Sequence, residues 1–181
     1  PNPDPDPNPN QVRPDKLITR YVLAPRAATQ AEMDAAITAI QQQSQEKSME
    51  KVKAAEQAGQ EFRQAYQSQE GVGETESGIL YRVLTPGTGS QPKIDDTVVV
   101  HYRGTLVDGT EFDSSIRRGQ PATFSLGGII PGWQEALQLM NEGARWEVVI
   151  PPELAYGETG AGGAIGPQET LIFEIELIEV K

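Results

Sequence analysis

Glycine is distributed very unevenly along this 181-residue chain, and its distribution constrains the fold more than any other single feature. Seventeen of the 18 glycines lie between positions 71 and 166, and only Gly59 precedes them. Glycine adopts the backbone conformations that tight turns need and destabilises helix interiors. Residues 1–70 therefore favour helix or extended chain, whereas residues 71–181 favour a sheet with many turns. Such a change in composition marks a domain boundary.

The first 28 residues are predicted to be a proline-rich leader followed by a short apolar segment. Proline occupies every second position from 1 to 9, which excludes a helix or a central strand there. We interpret this stretch as an extended, solvated tether. The apolar segment at 16–24 is compatible with a strand, a helical turn or a docking segment, and the sequence does not decide among them.

Residues 29–70 are predicted to form one long helix. Thr29 and Glu32 have the spacing of a capping box, and the residues that follow, as far as position 69, contain no proline. The apolar positions are sparse: Met33, Ile37, Ile40, Met49, Val52, Phe62 and Tyr66. A stripe this thin buries little surface within its own domain, which favours packing on a partner helix through Met33, Ile37 and Ile40. A break at 41–48, or a spacer helix without a binding role, is the alternative.

Residues 71–181 are predicted to form an α+β domain with an antiparallel sheet. Pro and Gly turns separate five β-rich segments, which span 79–84, 97–106, 122–126, 145–150 and 170–180. The last segment alternates apolar and polar residues, so one of its faces is buried.

One short helix is expected within this domain. Pro131 opens it, Trp133, Leu137 and Met140 form its apolar side, and Gly143 is placed to end it. The predicted fold is a curved antiparallel sheet wrapped on this short helix, preceded by the long N-terminal helix.

Composition excludes several classes of function. Residues 71–181 contain seven Lys and Arg against sixteen Asp and Glu, and such a field repels nucleic-acid phosphates. The absence of cysteine excludes disulfides and thiolate chemistry. Neither a metal-ligand spacing nor a phosphate loop occurs, so no cofactor or metal is expected. No apolar run approaches the roughly 20 residues that cross a bilayer.

Five short motifs follow one another in the second half of the chain. They are VVVHYRG at 98–104, GTEFDSS at 109–115, IPGW at 130–133, LAYG at 154–157 and TLIF at 170–173. Together they resemble the FKBP-type peptidyl-prolyl cis/trans isomerases. Residues 122–124, 135–140 and 163–167 are most similar to the macrophage infectivity potentiator (Mip) branch of Gram-negative bacteria. In that branch, N-terminal dimerisation helices and a linking helix precede the isomerase domain, and residues 29–70 match the linking helix.

The resemblance implies an FKBP-like fold and an enzyme that accelerates rotation about Xaa-Pro bonds in unfolded or flexible proteins. It implies four catalytic residues: Phe112, Asp113, Trp133 and Tyr156. It also implies a substrate-binding set, with the backbone N–H of Ile130 holding the substrate carbonyl: Tyr102, Ile129, Ile130, Ile165 and Phe173. Macrolides such as rapamycin or tacrolimus are implied ligands, although Ala122, Ala161 and Ala164 depart from the bulkier residues of many family members.

The sequence leaves several alternatives open. Asp113 could only cap the turn at Ser114 and Ser115, and the single histidine, His101, is expected to be structural. The runner-up function is a chaperone that holds unfolded clients, with incidental turnover. The resemblance implies the periplasm or outer-membrane surface, with the cytoplasm as the alternative. A homodimer through the N-terminal helices is a further expectation, although residues 1–28 are too short to supply the earlier helices of the branch.

Overall fold

The computed structural model describes residues 27–181, so the predicted leader and the apolar segment at 16–24 lie outside the described residues. The chain divides into two compact units, with the boundary between Gln45 and Glu46. None of the helices within residues 27–181 is long and apolar enough to cross a membrane.

The predicted long helix is present as α1, Gln30–Gln67, and it continues through residues 41–48 without a break. The capping box starts it as predicted: the Thr29 N–H donates to Glu32 Oε2 at 2.7 Å, and the Glu32 N–H donates to Thr29 Oγ1 at 3.3 Å. Within the first unit, Met33, Ile37 and Ile40 expose 43%, 53% and 65% of their surface.

The second unit contains a seven-stranded antiparallel sheet. Its strands are β1 (Val72–Glu74), β2 (Leu80–Thr85), β3 (Thr97–Leu106), β4 (Glu111–Ser114), β5 (Ala122–Ser125), β6 (Arg145–Ile150) and β7 (Leu171–Val180). The order across the sheet is β1-β2-β6-β7-β3-β4, and β5 also pairs with β3. The short helix α2 (Ser115–Arg118) follows β4, and α3 (Pro131–Leu139) follows β5.

Helix α3 packs on one face of the sheet and forms the main core with it. Its buried side is made by Trp133, Ala136 and Leu137, together with Met140 just beyond its end. The prediction that Gly143 ends this helix is wrong. Met140 already takes an extended conformation, and Gly143 instead makes the turn into β6, where its φ is +87° and its N–H donates to the Leu177 carbonyl at 2.7 Å.

Strands β6 and β7 are buried on both faces near the end where they pair Ile150 with Leu171. Val148 and Ile150 belong to the core beneath α3, whereas Val149, between them, belongs to a second apolar cluster on the opposite face. Side chains alternate between the two faces of a strand, and strands covered on both sides read as continuous apolar runs. This explains the unbroken apolar run at 148–150.

The last turns of α1 cover that opposite face. Tyr66 and Phe62 pack against Leu80, Val149 and Ile172, so Tyr66 is only 4% exposed. The Tyr66 hydroxyl donates to Glu147 at 2.7 Å. The prediction that the helical stripe buries little within its own domain is therefore wrong for its last two members.

Gly59 is required by the close approach of α1 to the sheet. A Cβ at this position would lie 2.3 Å from Thr170 Oγ1, which also accepts a hydrogen bond from Arg63 at 2.8 Å. Glycine inside a helix costs stability, but at position 59 it allows the close contact between α1 and Thr170.

Replacing Tyr66 by alanine tests whether α1 contributes to the stability of the domain. We expect Tyr66→Ala to lower the free energy of unfolding by about 3 kcal/mol, because a buried aromatic ring is lost. Met49→Ala is the matched control, since Met49 lies on the same helix but is 72% exposed. Urea denaturation of both variants measures the difference, and equal stabilities would contradict the assigned packing.

Candidate functional site

A cavity of about 580 Å³ opens beside the start of α3. All nine site residues predicted from the sequence lie on its wall, namely Tyr102, Phe112, Asp113, Ile129, Ile130, Trp133, Tyr156, Ile165 and Phe173. The fold thus brings these nine residues together from the three strands β3, β4 and β7, from α3 and from two loops.

Trp133 lies at the centre of an aromatic cluster in this wall. Three rings contact its indole edge-on, with centroid distances of 5.2 Å for Tyr102, 5.2 Å for Phe173 and 5.6 Å for Phe124. Edge-to-face packing matches the electron-poor ring edge to the electron-rich ring face and fixes ring orientation. Pro131 at the first position of α3 sets the backbone that carries Trp133 into the cluster.

Gly104 makes room for the outer part of the same cluster. A Cβ at this position would lie 2.5 Å from the Phe112 ring and 2.8 Å from the Phe173 ring. These two rings also pack edge-on, at 5.5 Å. Gly104, in β3, therefore allows both phenylalanine rings to lie over the strand.

The polar groups of the cavity form a connected chain at its rim. The Tyr102 hydroxyl donates to Asp113 Oδ2 at 2.5 Å, and Arg118 donates both to Asp113 Oδ1 and, at 2.9 Å, to the Tyr102 hydroxyl oxygen. The guanidinium also lies over the Tyr102 ring, 5.6 Å from its centroid. Three side chains from β3, β4 and α2 therefore hold one another in place.

This arrangement keeps Asp113 ionised. Burial alone would raise the pKa of Asp113, but the hydrogen bonds from Tyr102 and Arg118, the guanidinium charge and the Ser114 N–H together lower it below its ordinary value. Burial and the hydrogen bond to Asp113 raise the pKa of Tyr102. The rim therefore presents a carboxylate and a neutral phenol.

Asp113 also has the local capping contact that the sequence left as an alternative. Its Oδ1 accepts from the Ser114 N–H at 2.8 Å, while Ser114 itself caps α2 by accepting from the Arg117 N–H at 3.1 Å. The carboxylate thus joins the turn and the cavity rim at the same time.

The glycine-rich segment at 157–163 forms part of the cavity wall. Ala161 and Ile165 exchange two backbone hydrogen bonds, of 2.9 and 3.0 Å, and so close a small loop. Ala161, Gly162, Ala164 and Ile165 line the cavity. Small side chains therefore predominate on this side of the cavity.

Ile130 offers an unused backbone donor at the cavity. Its carbonyl accepts from the Trp133 and Gln134 N–H groups at 3.0 and 3.1 Å, whereas its own N–H makes no hydrogen bond within residues 27–181. The position is half-buried. A bound carbonyl group can therefore be held there.

Two side chains that contact the predicted residues, Phe124 and Arg118, were not in the predicted set. Phe124 packs on Trp133, and the alternation of apolar and polar residues along Ala122–Ser125 could have indicated it. No sequence pattern indicates Arg118, because its contact with Asp113 depends on α2 turning the side chain back toward β4.

The contribution of Arg118 to the rim can be tested by titration. We expect Arg118→Met to raise the pKa of Asp113, because the variant removes both the donors and the positive charge. Arg117→Met is the control, since Arg117 pairs with Glu111 at 3.2 Å instead. Carbon-13 NMR titration of the Asp113 carboxyl measures both variants.

The same change alters stability in acid. A lowered folded-state pKa stabilises the fold above the unfolded-state pKa of Asp113, and this contribution is lost as the pH falls through the folded-state value. Arg118→Met should therefore begin to unfold at a higher pH than the parent protein, within the acid range below about pH 4 where aspartate titrates. An unchanged Asp113 titration in Arg118→Met would contradict this interpretation.

Comparison with known proteins identifies two matching family models. Residues 88–178 match the model described as FKBP-type peptidyl-prolyl cis-trans isomerase. Residues 19–83 match the domain amino-terminal to FKBP-type peptidyl-prolyl isomerase. The two matches together span most of the chain.

Curated relatives agree with these models. The FKBP-type 22 kDa peptidyl-prolyl cis-trans isomerase of Escherichia coli K12 is 58% identical over 111 residues, covering 61% of this chain and 54% of the relative. The outer membrane protein MIP of Legionella longbeachae is 53% identical over 123 residues, covering 68% and 53%. The chain thus spans about half the length of the curated relatives that it matches.

A solved structure covers more of the chain. The crystal structure of FkpA from Escherichia coli superposes with a TM-score of 0.77 at 39% identity, covering 92% of this chain and 78% of that one. It therefore supports both the long helix and the sheet domain. With the two family models and the aromatic cavity, this similarity shows that the chain belongs to the family of FKBP-type peptidyl-prolyl cis-trans isomerases.

Proposed function

We propose that the chain is a peptidyl-prolyl cis/trans isomerase that binds Xaa-Pro segments of unfolded or flexible proteins in the aromatic cavity. The observation that carries this proposal is the floor made by Trp133, with three aromatic rings edge-on around it and a fixed polar chain at the rim. A proline ring fits such a floor, because it is compact and apolar.

Rotation about a prolyl bond needs no nucleophile. The barrier in water is about 18–20 kcal/mol, because twisting the C–N bond removes its resonance. The planar amide is the more dipolar form, so an apolar cavity that excludes water destabilises it more than the twisted form. We assign this part of the catalysis to Phe112, Trp133 and Phe173.

Polar groups orient the substrate within the cavity. The Ile130 N–H holds the substrate carbonyl, which keeps one side of the bond fixed while the other rotates. The Asp113 carboxylate and the Tyr156 side chain, which is 39% exposed, face the rotating part. The small groups of the 157–165 loop leave space for the residue before proline, and for a macrolide such as rapamycin or tacrolimus.

Substitution of the floor and of the rim tests these assignments. We expect Trp133→Leu and Asp113→Ala each to lower kcat/KM for a proline-containing peptide by about tenfold or more, equivalent to roughly 1.4 kcal/mol per tenfold. Trp146→Leu is the matched control, because Trp146 is the other tryptophan and stacks on Tyr81 away from the cavity. Protease-coupled peptide isomerisation gives the rates, and circular dichroism shows that each variant is folded.

These assays can also reject the proposal. Full activity of Asp113→Ala would remove Asp113 from the mechanism, and equal losses in Trp133→Leu and Trp146→Leu would show a general effect of stability. An inactive parent protein would refute the proposed activity itself.

A second candidate function is the holding of unfolded clients, with isomerisation incidental. The exposed side chains of Met33, Ile37 and Ile40 favour it, and the same residues offer a face for a homodimer through the N-terminal helices.

We propose 29–70 as the helical region and 71–181 as the isomerase domain. We place the protein in the periplasm or at the outer-membrane surface of a Gram-negative bacterium, with the cytoplasm as the alternative.

Removal of residues 1–45 separates the two functions, because the second compact unit begins at Glu46. Residues 46–181 should keep the peptide activity of the full chain, since every cavity residue is retained. Proline-limited refolding of a protein should slow several-fold, because a client is no longer held near the cavity. Equal losses in both assays would show that the helix is a structural support for the catalytic domain and does not hold clients.

A further inference from the structure

Strand β3 is paired on one edge by two different strands, and Tyr102 lies in the gap between them. On that edge, the pairing with β5 ends at Val100 and the pairing with β4 begins at Arg103. The other edge pairs with β7 from Val98 to Leu106. The backbone of Tyr102 on the divided edge is therefore left without a partner strand, although the residue is only 5% exposed.

The side chain of Ser115 fills this gap. Its Oγ accepts from the Tyr102 N–H at 2.8 Å and donates to the Tyr102 carbonyl at 3.3 Å. Ser115 is fully buried. One hydroxyl thus takes the place of the missing strand by binding the donor and the acceptor of the same residue.

His101 completes the hydrogen bonding of this hydroxyl. Its Nδ1 lies 3.1 Å from Ser115 Oγ. A hydroxyl has one donor and two acceptor positions, so all three are used when Nδ1 carries a hydrogen; this tautomer is assigned from the hydrogen-bond pattern. Ser115 therefore has no position left for water.

The same short segment also holds the other end of Tyr102. Asp113 and Arg118 bind the Tyr102 hydroxyl, two residues before and three residues after Ser115. Tyr102 is thus fixed at its backbone and at its hydroxyl by residues 113–118. Its ring, between these two points, packs on Trp133.

We propose that Ser115 is a positioning residue of the cavity: its hydroxyl closes the gap in β3 and sets the Tyr102 ring and hydroxyl for substrate binding. This inference rests on the proposed isomerase function, which assigns Tyr102 to the substrate site. Without the hydroxyl, a buried backbone N–H loses its partner. The strand edge then relaxes and shifts Tyr102 relative to Trp133 and Asp113.

Ser115→Ala is the direct test, with Ser114→Ala as the matched control. Ser114 is also buried and caps α2, but its hydroxyl makes no hydrogen bond with Tyr102. We expect kcat/KM of the full chain to fall about tenfold in Ser115→Ala, since small displacements of binding groups slow reactions strongly. Ser114→Ala should stay within about threefold of the parent, a change of under 1 kcal/mol.

Two measurements report on position independently of activity. We expect the Tyr102 amide resonance to move in Ser115→Ala, and the pKa of Asp113 to rise as its hydrogen bond from Tyr102 weakens. The Tyr102 amide resonance should not move in Ser114→Ala, because Ser115 and not Ser114 binds the Tyr102 N–H. If Ser115→Ala does not fold, Ser115→Cys replaces it in the test. The thiol has nearly the same shape as the hydroxyl but is a weaker hydrogen-bonding group. The chain contains no cysteine that could form a disulfide with it. Ser115→Cys should change the activity, the Tyr102 amide resonance and the Asp113 pKa in the same direction, but by less.

The outcomes separate this inference from the proposed function. The positioning role is overturned if the parent protein is active and Ser115→Ala leaves the activity, the Tyr102 amide resonance and the Asp113 titration unchanged. The same holds for Ser115→Cys if that variant is the one that folds. Equal effects in the Ser114 and Ser115 variants overturn it too, because they would show only loss of α2. If the parent protein is inactive, the proposed function fails, and the amide and Asp113 measurements still decide whether Ser115 positions Tyr102.

Discussion

The pairing of β3 with β7 is the interaction on which the rest of the structure depends. The two strands run antiparallel through the centre of the sheet, with registers from Val98 to Leu106. This register places Gly104 opposite Phe173 and puts Tyr102 on the same face of the sheet, so two strands distant in sequence supply adjacent parts of the cavity wall. A shift by one residue would turn these side chains to the opposite face.

Burial on both faces ties the long helix to β7 and to its neighbour β6. The face of β6 and β7 toward α3 carries the core and the cavity, while the opposite face carries Val149 and Ile172 beneath Phe62 and Tyr66. Burial of apolar surface contributes about 25 cal/mol per Å². The C-terminal part of α1 therefore belongs to the packed domain, although the composition change at residue 71 suggests a boundary after it.

The charges of the domain are arranged differently at the cavity than elsewhere on the surface. Each arginine in residues 71–181 pairs with a carboxylate: Arg82, Arg103, Arg117, Arg118 and Arg145. Exposed pairs of this kind contribute little to stability. The pair of Arg118 with Asp113 differs, because it also binds the Tyr102 hydroxyl and so determines the ionisation and orientation of groups at the cavity rim.

The sequence by itself determined the local elements and the residue types of the cavity. Thr29 and Glu32 indicated the start of α1, Pro131 and the spacing of Trp133 and Leu137 indicated α3, and alternation indicated β7, because capping and periodicity depend only on near neighbours. The resemblance to the FKBP-type family indicated nine residues that line the cavity.

Only the tertiary structure decided which distant residues meet. The contact of Gly59 with Thr170, the return of Arg118 to Asp113 and the closure of the β3 gap by Ser115 all join segments whose local patterns carry no sign of the partner. From its neighbours in the sequence alone, Gly59 is an unfavourable helix residue and Ser115 is part of a turn. Their roles depend on strand register and on the packing of α1, which are set by long-range burial and not by the spacing of residues along the chain.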